Sequence, residues 1–222
     1  MENTRAPLFR RDFTLVVIGQ IISLFGNAIL RFALPLYLLR ETGSSSLFGA
    51  VSAAAFLPMV FFSLFGGVLA DRVNKRNIMV FLDFGTAGLI LAFYLLHNTV
   101  PLVPLMIVCL MLLYGISGAY QPSVQASIPV LVAPERITQA NAVINMVSTS
   151  ASLVGPVLGG VLFGSWGIVP ILLLSAACFF ASAVMEIFIR IPYQRPEKGG
   201  GMLVVVRQDL GESWRYVSRE KP

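Results

Sequence analysis

Gln20, Ser23, Asn27 and Arg31 recur at three- and four-residue intervals inside a stretch that is otherwise apolar. At about 100° per residue they fall on one narrow face of a helix. Tyr114, Gly118, Gln121 and Gln125 repeat that spacing, and Asn141, Asn145, Ser148 and Ser152 repeat it again. Amides, hydroxyls and a guanidinium bind and orient a molecule; they do not by themselves break its bonds. Two roles fit a polar stripe on an apolar helix. It lines a water-filled cavity, since lipid offers no hydrogen-bond partner, or it joins helices as interhelical glue. Arg31 has its own pair of options. A central Arg costs about 2.5–3.5 kcal/mol to insert, so it either lines the cavity or extends to the outer interface along its flexible stem. The candidate cavity residues are Gln20, Asn27, Arg31, Tyr114, Gln121, Gln125, Asn141 and Asn145.

Two carboxylates add to the inventory. Asp83 and Glu186 lie near the cytoplasmic ends of their apolar stretches, where pairing with basic loops is the expected role and proton carriage the second one. His97 sits at the outer end of its stretch and is expected to be solvated. Cys109 and Cys178 fall inside apolar runs and read as small core residues. No His/Asp/Glu/Ser constellation, metal-ligand spacing or nucleotide-binding motif appears, so the sequence predicts no catalytic residues, metal or cofactor. Repeated charged rings or filter-like loops, which a channel would need, are also missing from the sequence.

The elements that hold these residues must be membrane helices. Of 222 residues, 56% are hydrophobic and 12% charged, with a mean hydropathy of +0.80. A soluble domain carries about 25% charged residues, and half that proportion cannot cover this surface with charge. Runs of about 20 apolar residues span a bilayer, and six are legible: residues 13–39, 47–70, 77–96, 101–128, 137–163 and 168–189. The first is too long for the apolar core of a signal peptide and lacks a small-residue cleavage site after it.

Basic residues orient the six. With the N-terminus inside, 14 of the 16 Lys and Arg residues fall on the cytoplasmic side. Only Arg40 lies outside, and Arg31 is within the first span. This bias predicts two cytoplasmic termini under the positive-inside rule, and so an even number of spans. The formal charge of +5 then reflects topology and contact with anionic lipid headgroups rather than nucleic acid. Residues 1–12 form a cytoplasmic N-terminus and 13–191 the six-helix domain. Residues 192–222 form a cytoplasmic linker followed by an amphipathic helix, with Leu203, Val206, Leu210, Trp214 and Val217 at helical spacing. The chain is expected to be interrupted at Pro222 rather than finished there.

Small residues make a second pattern. SLVGPVLGGVLFG places Gly155, Pro156, Gly159 and Gly160 on one helix. Glycines four apart admit a second helix closely, and Pro156 removes a donor and permits a bend. Between the second and third spans the chain reads GGVLADRVNKRN. Its Gly67, Asp71, Arg72, Lys75 and Arg76 resemble the signature loop of the major facilitator superfamily, with Asn74 in place of the usual glycine. Asn is the residue that best tolerates the left-handed conformation after Gly. ASLVGPVLGG resembles the antiporter motif of that superfamily's exporter branches. NAILRFALPLYLLRETGSSS and AYQPSVQASIPVLVAPERITQANAV resemble its drug and macrolide efflux group.

The resemblance covers the whole chain and carries several implications. It implies an all-α membrane protein whose six transmembrane helices form one half of that fold, as two three-helix inverted repeats. It implies a bacterial inner-membrane location and secondary export of a small amphipathic or drug-like molecule by alternating access, with proton as coupling ion. It makes the signature loop a conformational gate, the alternative being a topogenic basic loop. The fourth span, LMIVCLMLLYGISGA, lacks the Arg that many proton-coupled exporters carry there, leaving Arg31 or Glu186 as substitutes. The expected partners are the lipid bilayer, a small-molecule substrate and a C-terminal six-helix half, missing or on another chain; a dimer is the third option. The competing reading is a non-transporting membrane fragment or assembly partner.

Overall fold

A computed structural model describes residues 7–191, with the side chains of 64, 65 and 67–72 outside that description. The proposed tail helix therefore lies beyond the described residues. These form six long helices: α1 (Arg11–Thr42), α2 (Ser45–Arg72), α3 (Lys75–Leu96), α4 (Leu102–Leu131), α5 (Ile137–Trp166) and α6 (Ile168–Ile187). At 1.5 Å per residue the shortest is about 30 Å long, the thickness of a hydrocarbon core. All six are long and apolar enough to cross a membrane. The ends differ from the hydropathy reading by a few residues, because the end turns carry polar residues that hydropathy assigns to loops.

Short links force antiparallel neighbours. Gly43 closes α1 in the left-handed region (φ 64°), and its N–H bonds the Leu39 carbonyl at 2.8 Å. Gly167 turns α5 into α6 at φ 75°, ψ −167°, a region essentially reserved for glycine. Asn74 behaves otherwise than its sequence suggests. Its φ is −59°, not left-handed, and its side-chain oxygen accepts from the Arg76 N–H at 3.1 Å. Asn74 thus caps α3, satisfying one of the donors that a helix start leaves free.

The helices pack as two interlocked triplets. α2 lies mainly on α4 and α1 mainly on α5, while α3 meets α6; α1 also packs on α6, and α3 on α4. Exchanging α1–α3 with α4–α6 leaves this pattern of partners unchanged, the mark of a repeated three-helix unit. Small residues permit the two longest crossings. A Cβ on Gly118 would stand 2.5 Å from the Met59 carbonyl oxygen of α2. Gly155 abuts Ala28 of α1, and a Cβ on Gly159 would stand 3.0 Å from the Ile29 carbonyl oxygen.

The interior is layered. One apolar cluster gathers Leu30, Leu34 and Leu38 with Ile90, Phe93, Leu110 and Phe179. Another gathers Phe13 and Val16 with Met79, Val124, Ile128 and Ile144 towards the end that carries both described termini. Polar side chains occupy the level between them. Outside, Leu57, Phe81, Leu95, Met146 and Leu153 are exposed, a coat suited to lipid and unsuited to water.

Candidate functional site

Between the two apolar clusters lies a cavity of about 580 Å³. α1 contributes Ser23, Asn27 and Arg31; α4 contributes Tyr114, Ser117, Tyr120, Gln121 and Gln125; α5 contributes Asn145, Ser148, Ser152 and Pro156. The three polar stripes therefore converge, because α1 packs on α5 and α4 within one layer. Met59, Asp83 and Phe179 add wall from α2, α3 and α6.

The wall is partly pre-set. Asn27 donates to the Ser117 hydroxyl at 2.8 Å, and that hydroxyl donates to the Leu113 carbonyl at 3.0 Å. The Arg31 guanidinium lies 3.6 Å from the Tyr114 ring centroid and 5.9 Å from that of Phe56. Those two rings meet edge to face at 4.9 Å. Arg31 also reaches the Met59 sulfur at 3.8 Å. It is thus half-buried along the cavity wall, its charge resting on aromatic faces, an arrangement worth about 0.5–2 kcal/mol. Among the described residues no carboxylate pairs with it. Gln121, Gln125 and Asn145 make no hydrogen bond among the described residues, so their amides are available to whatever occupies the cavity.

Some candidates fall elsewhere. Gln20 is 1% exposed and sits in the helix interface, not on the cavity wall. Asn141 is half-buried one turn from Asn145 and does not line the cavity. Gly118 belongs to the α2 crossing. Asp83 and Glu186 differ most from the expectation of pairing with basic loops. Both are buried, Asp83 against Ser23 and Glu186 against Tyr120, and neither forms an ion pair among the described residues. The packing of α3 and α6 points them inward. Ser117 is absent from the sequence candidates, although its place three residues after Tyr114 puts it beside the α4 stripe. Tyr120, Thr86 and Phe179 are not among the sequence candidates either, although Thr86 follows Asp83 by three residues and Tyr120 follows Ser117 by three, each pair on one helix face.

Of the expected gate, α2 carries Gly67, Asp71 and Arg72, whose side chains lie outside the description. Lys75 and Arg76 open α3, and an Arg76 Nη2 donates to the Ile187 carbonyl at the end of α6. Gly155, Pro156, Gly159 and Gly160 sit together on α5, Gly155 and Gly159 against α1 and Gly160 near Phe32.

A family model described as Major Facilitator Superfamily matches residues 16–221. The chain belongs to that superfamily. Among relatives, macrolide efflux protein A of Streptococcus pyogenes is 28% identical over 186 residues, covering 83% of this chain and 46% of the relative. Multidrug resistance protein MdtG of Enterobacter lignolyticus is 28% identical over 201 residues, covering 87% of this chain and 47% of the relative. The chain spans about half the length of these curated relatives, their N-terminal half. A crystal structure of the POT family transporter PepTSo superposes with a TM-score of 0.75 at 19% identity, over 90% of this chain and 42% of that one. At that identity it establishes the fold alone. Six helices forming one half of a superfamily transporter is therefore the architecture, and the protein is a multi-pass membrane protein.

Proposed function

We propose that this chain forms one half of a proton-coupled secondary exporter for a small amphipathic or drug-like molecule, working by alternating access. The observation that carries the reading is the cavity, a polar and aromatic chamber inside an otherwise apolar bundle. Its mixture of amides, aromatic rings and one guanidinium offers stacking and hydrogen bonds without a dense fixed charge, which suits a lipophilic molecule with a few polar groups. The efflux names of the relatives agree with that chemistry.

Under this reading α1, α4 and α5 form one wall, and a second six-helix half supplies the other. The loop around Asp71 gates the cytoplasmic side, both termini are cytoplasmic, and Gly155 to Gly160 let α5 bend and slide against α1. Accumulation of a fluorescent dye and of a macrolide, in cells lacking their own exporters, tests the proposal. The chain completed by a second half is expected to lower both. Undiminished accumulation with the completed form would favour a non-transporting membrane component. Export by the 222 residues alone would overturn the need for a second half.

Arg31 provides a test of the wall itself. Arg31→Ala removes the cation from the Tyr114 face while leaving the ring in place. A cation–π contact of about 0.5–2 kcal/mol, made by the guanidinium to a substrate ring, would correspond to roughly 2- to 30-fold in affinity. Concentration-dependent transport by Arg31→Ala is expected to show a changed substrate range or KM. An unchanged profile would leave Arg31 with a packing role only.

A further inference from the structure

Two buried carboxyls in the polar layer, one at the edge of the cavity and one behind it, form a cluster of their own. Asp83 on α3 and Glu186 on α6 are each 2% exposed. Asp83 accepts from the Ser23 hydroxyl at 3.0 Å, and Glu186 accepts from the Tyr120 hydroxyl at 2.5 Å. The second oxygen of each carboxyl, and both amide atoms of Gln20, are buried with no hydrogen-bond partner among the described residues.

The two carboxyls are neighbours through α1. Ser23, which holds Asp83, is one turn beyond Gly19. A Cβ on Gly19 would stand 3.8 Å from Glu186 Oε1, and the Ser182 hydroxyl donates to the Gly19 carbonyl at 3.1 Å. Both carboxyls therefore meet α1 within one helical turn, Glu186 beside Gly19 and Asp83 at Ser23. Facing them are Gln20 and Ser23 from α1, Tyr120 from α4 and Ser182 from α6. At the adjoining end of the bundle, the Arg76 guanidinium is engaged with the Ile187 carbonyl, and the Arg190 backbone N–H with Asp12. Two anions buried here together would have no paired cation among the described residues, at a cost of several kcal/mol for each. Asp83 and Tyr120 also line the cavity, so the cluster communicates with the space that a substrate would fill.

We propose that Asp83 and Glu186, with Tyr120 and Ser23 as hydrogen-bond donors, form the site that takes up and releases the exchanged proton. This rests on the proton-coupled reading above. The step is a protonation only: a carboxylate oxygen gains H⁺ from water reaching the cavity, becoming a carboxylic acid, and returns it when the cavity opens to the other side. No other bond changes. The Ser23 and Tyr120 hydroxyls stabilise the anion while the proton is away, and loss of water around the pair favours its return.

Infrared difference spectroscopy on the 222-residue chain in lipid nanodiscs, stepped from acidic to alkaline buffer, reads the proposal without needing transport. A carbonyl-stretch band of a protonated carboxyl is expected to disappear on the alkaline step. Glu186→Gln and Asp83→Asn, close in shape to the native residues, are each expected to abolish or displace it. Tyr120→Phe, which keeps both carboxyls, is expected to shift the band rather than remove it. A wild-type chain with no such pH-dependent band, or a band untouched in both carboxyl variants, overturns the assignment. The coupling reading is judged separately, by whether efflux from everted vesicles containing the completed transporter collapses when the pH gradient is dissipated. Gradient-dependent efflux that persists in Glu186→Gln and Asp83→Asn sinks the proposed pair alone, whereas gradient-independent efflux in the unmodified transporter sinks the coupling reading.

Discussion

Gly118→Ala is expected to destabilise the helical bundle by about 1–3 kcal/mol, and Gly118→Leu to keep α2 from seating on α4. The added Cβ of the alanine would stand 2.5 Å from the Met59 carbonyl oxygen and 3.2 Å from the Met59 Cα. These are backbone atoms, with no rotamer to move aside, so the whole of α2 must shift. The α2–α4 contact is the most extensive in the fold, and interiors packed to crystal density transmit such a displacement instead of absorbing it. In a membrane this matters more than in water, because lipid is as apolar as the helix and only close packing holds the pair together. Gly88→Ala is the control. Nothing lies within 4 Å of a Cβ there, and replacing glycine in a helix gains up to about 1 kcal/mol. Thermal unfolding in detergent should separate the two substitutions clearly. Equal melting of Gly118→Ala and Gly88→Ala would mean that α2 and α4 do not cross where the structure has them.

Asp71→Asn is expected to cut transport by roughly tenfold or more, with insertion and expression intact. Asp71 lies in the last turn of α2, next to its final residue Arg72 and the two-residue link to α3. Under the proposed gate, its carboxylate holds the closed cytoplasmic face by pairing with donors at a helix N-terminus of the second half. A hydrogen bond to a charged group contributes about 1.5–3 kcal/mol, enough to shift a two-state gate roughly ten- to a hundredfold. Asparagine keeps the shape and loses the charge, so misfolding is not the expected route to the loss. Efflux by the completed transporter, alongside its membrane abundance, is the measurement. Normal efflux would leave the loop with a topogenic role only.

Gly118 packs against α2 of the same chain, so its substitution acts without a partner. The proposed Asp71 contact is with a second half, so its assay needs the completed transporter.

Much of the fold was legible in the residues alone. Bilayer thickness sets a length of about 20 apolar residues, and GSWG and DRVNKR interrupt the runs sharply, so six spans could be counted. The polar stripes of α1, α4 and α5 were legible for a similar reason, since helical periodicity is a local property. What periodicity cannot do is choose a neighbour. Gln20 continues the α1 stripe yet packs into the helix interface, and Asn141 continues the α5 stripe yet misses the cavity. A stripe of fixed direction runs past a cavity of finite height. Their place near the cytoplasmic helix ends suggests that Asp83 and Glu186 pair with the basic loops, yet α3 and α6 turn both inward, where hydroxyls from α1 and α4 meet them. Those partners lie 60 and 66 residues away in sequence. Sequence by itself determined that the chain forms six apolar helices with polar faces, because the bilayer acts on each helix separately. Tertiary packing decided which polar groups share a chamber and which are sealed in pairs, because that depends on how closely small residues let the backbones approach.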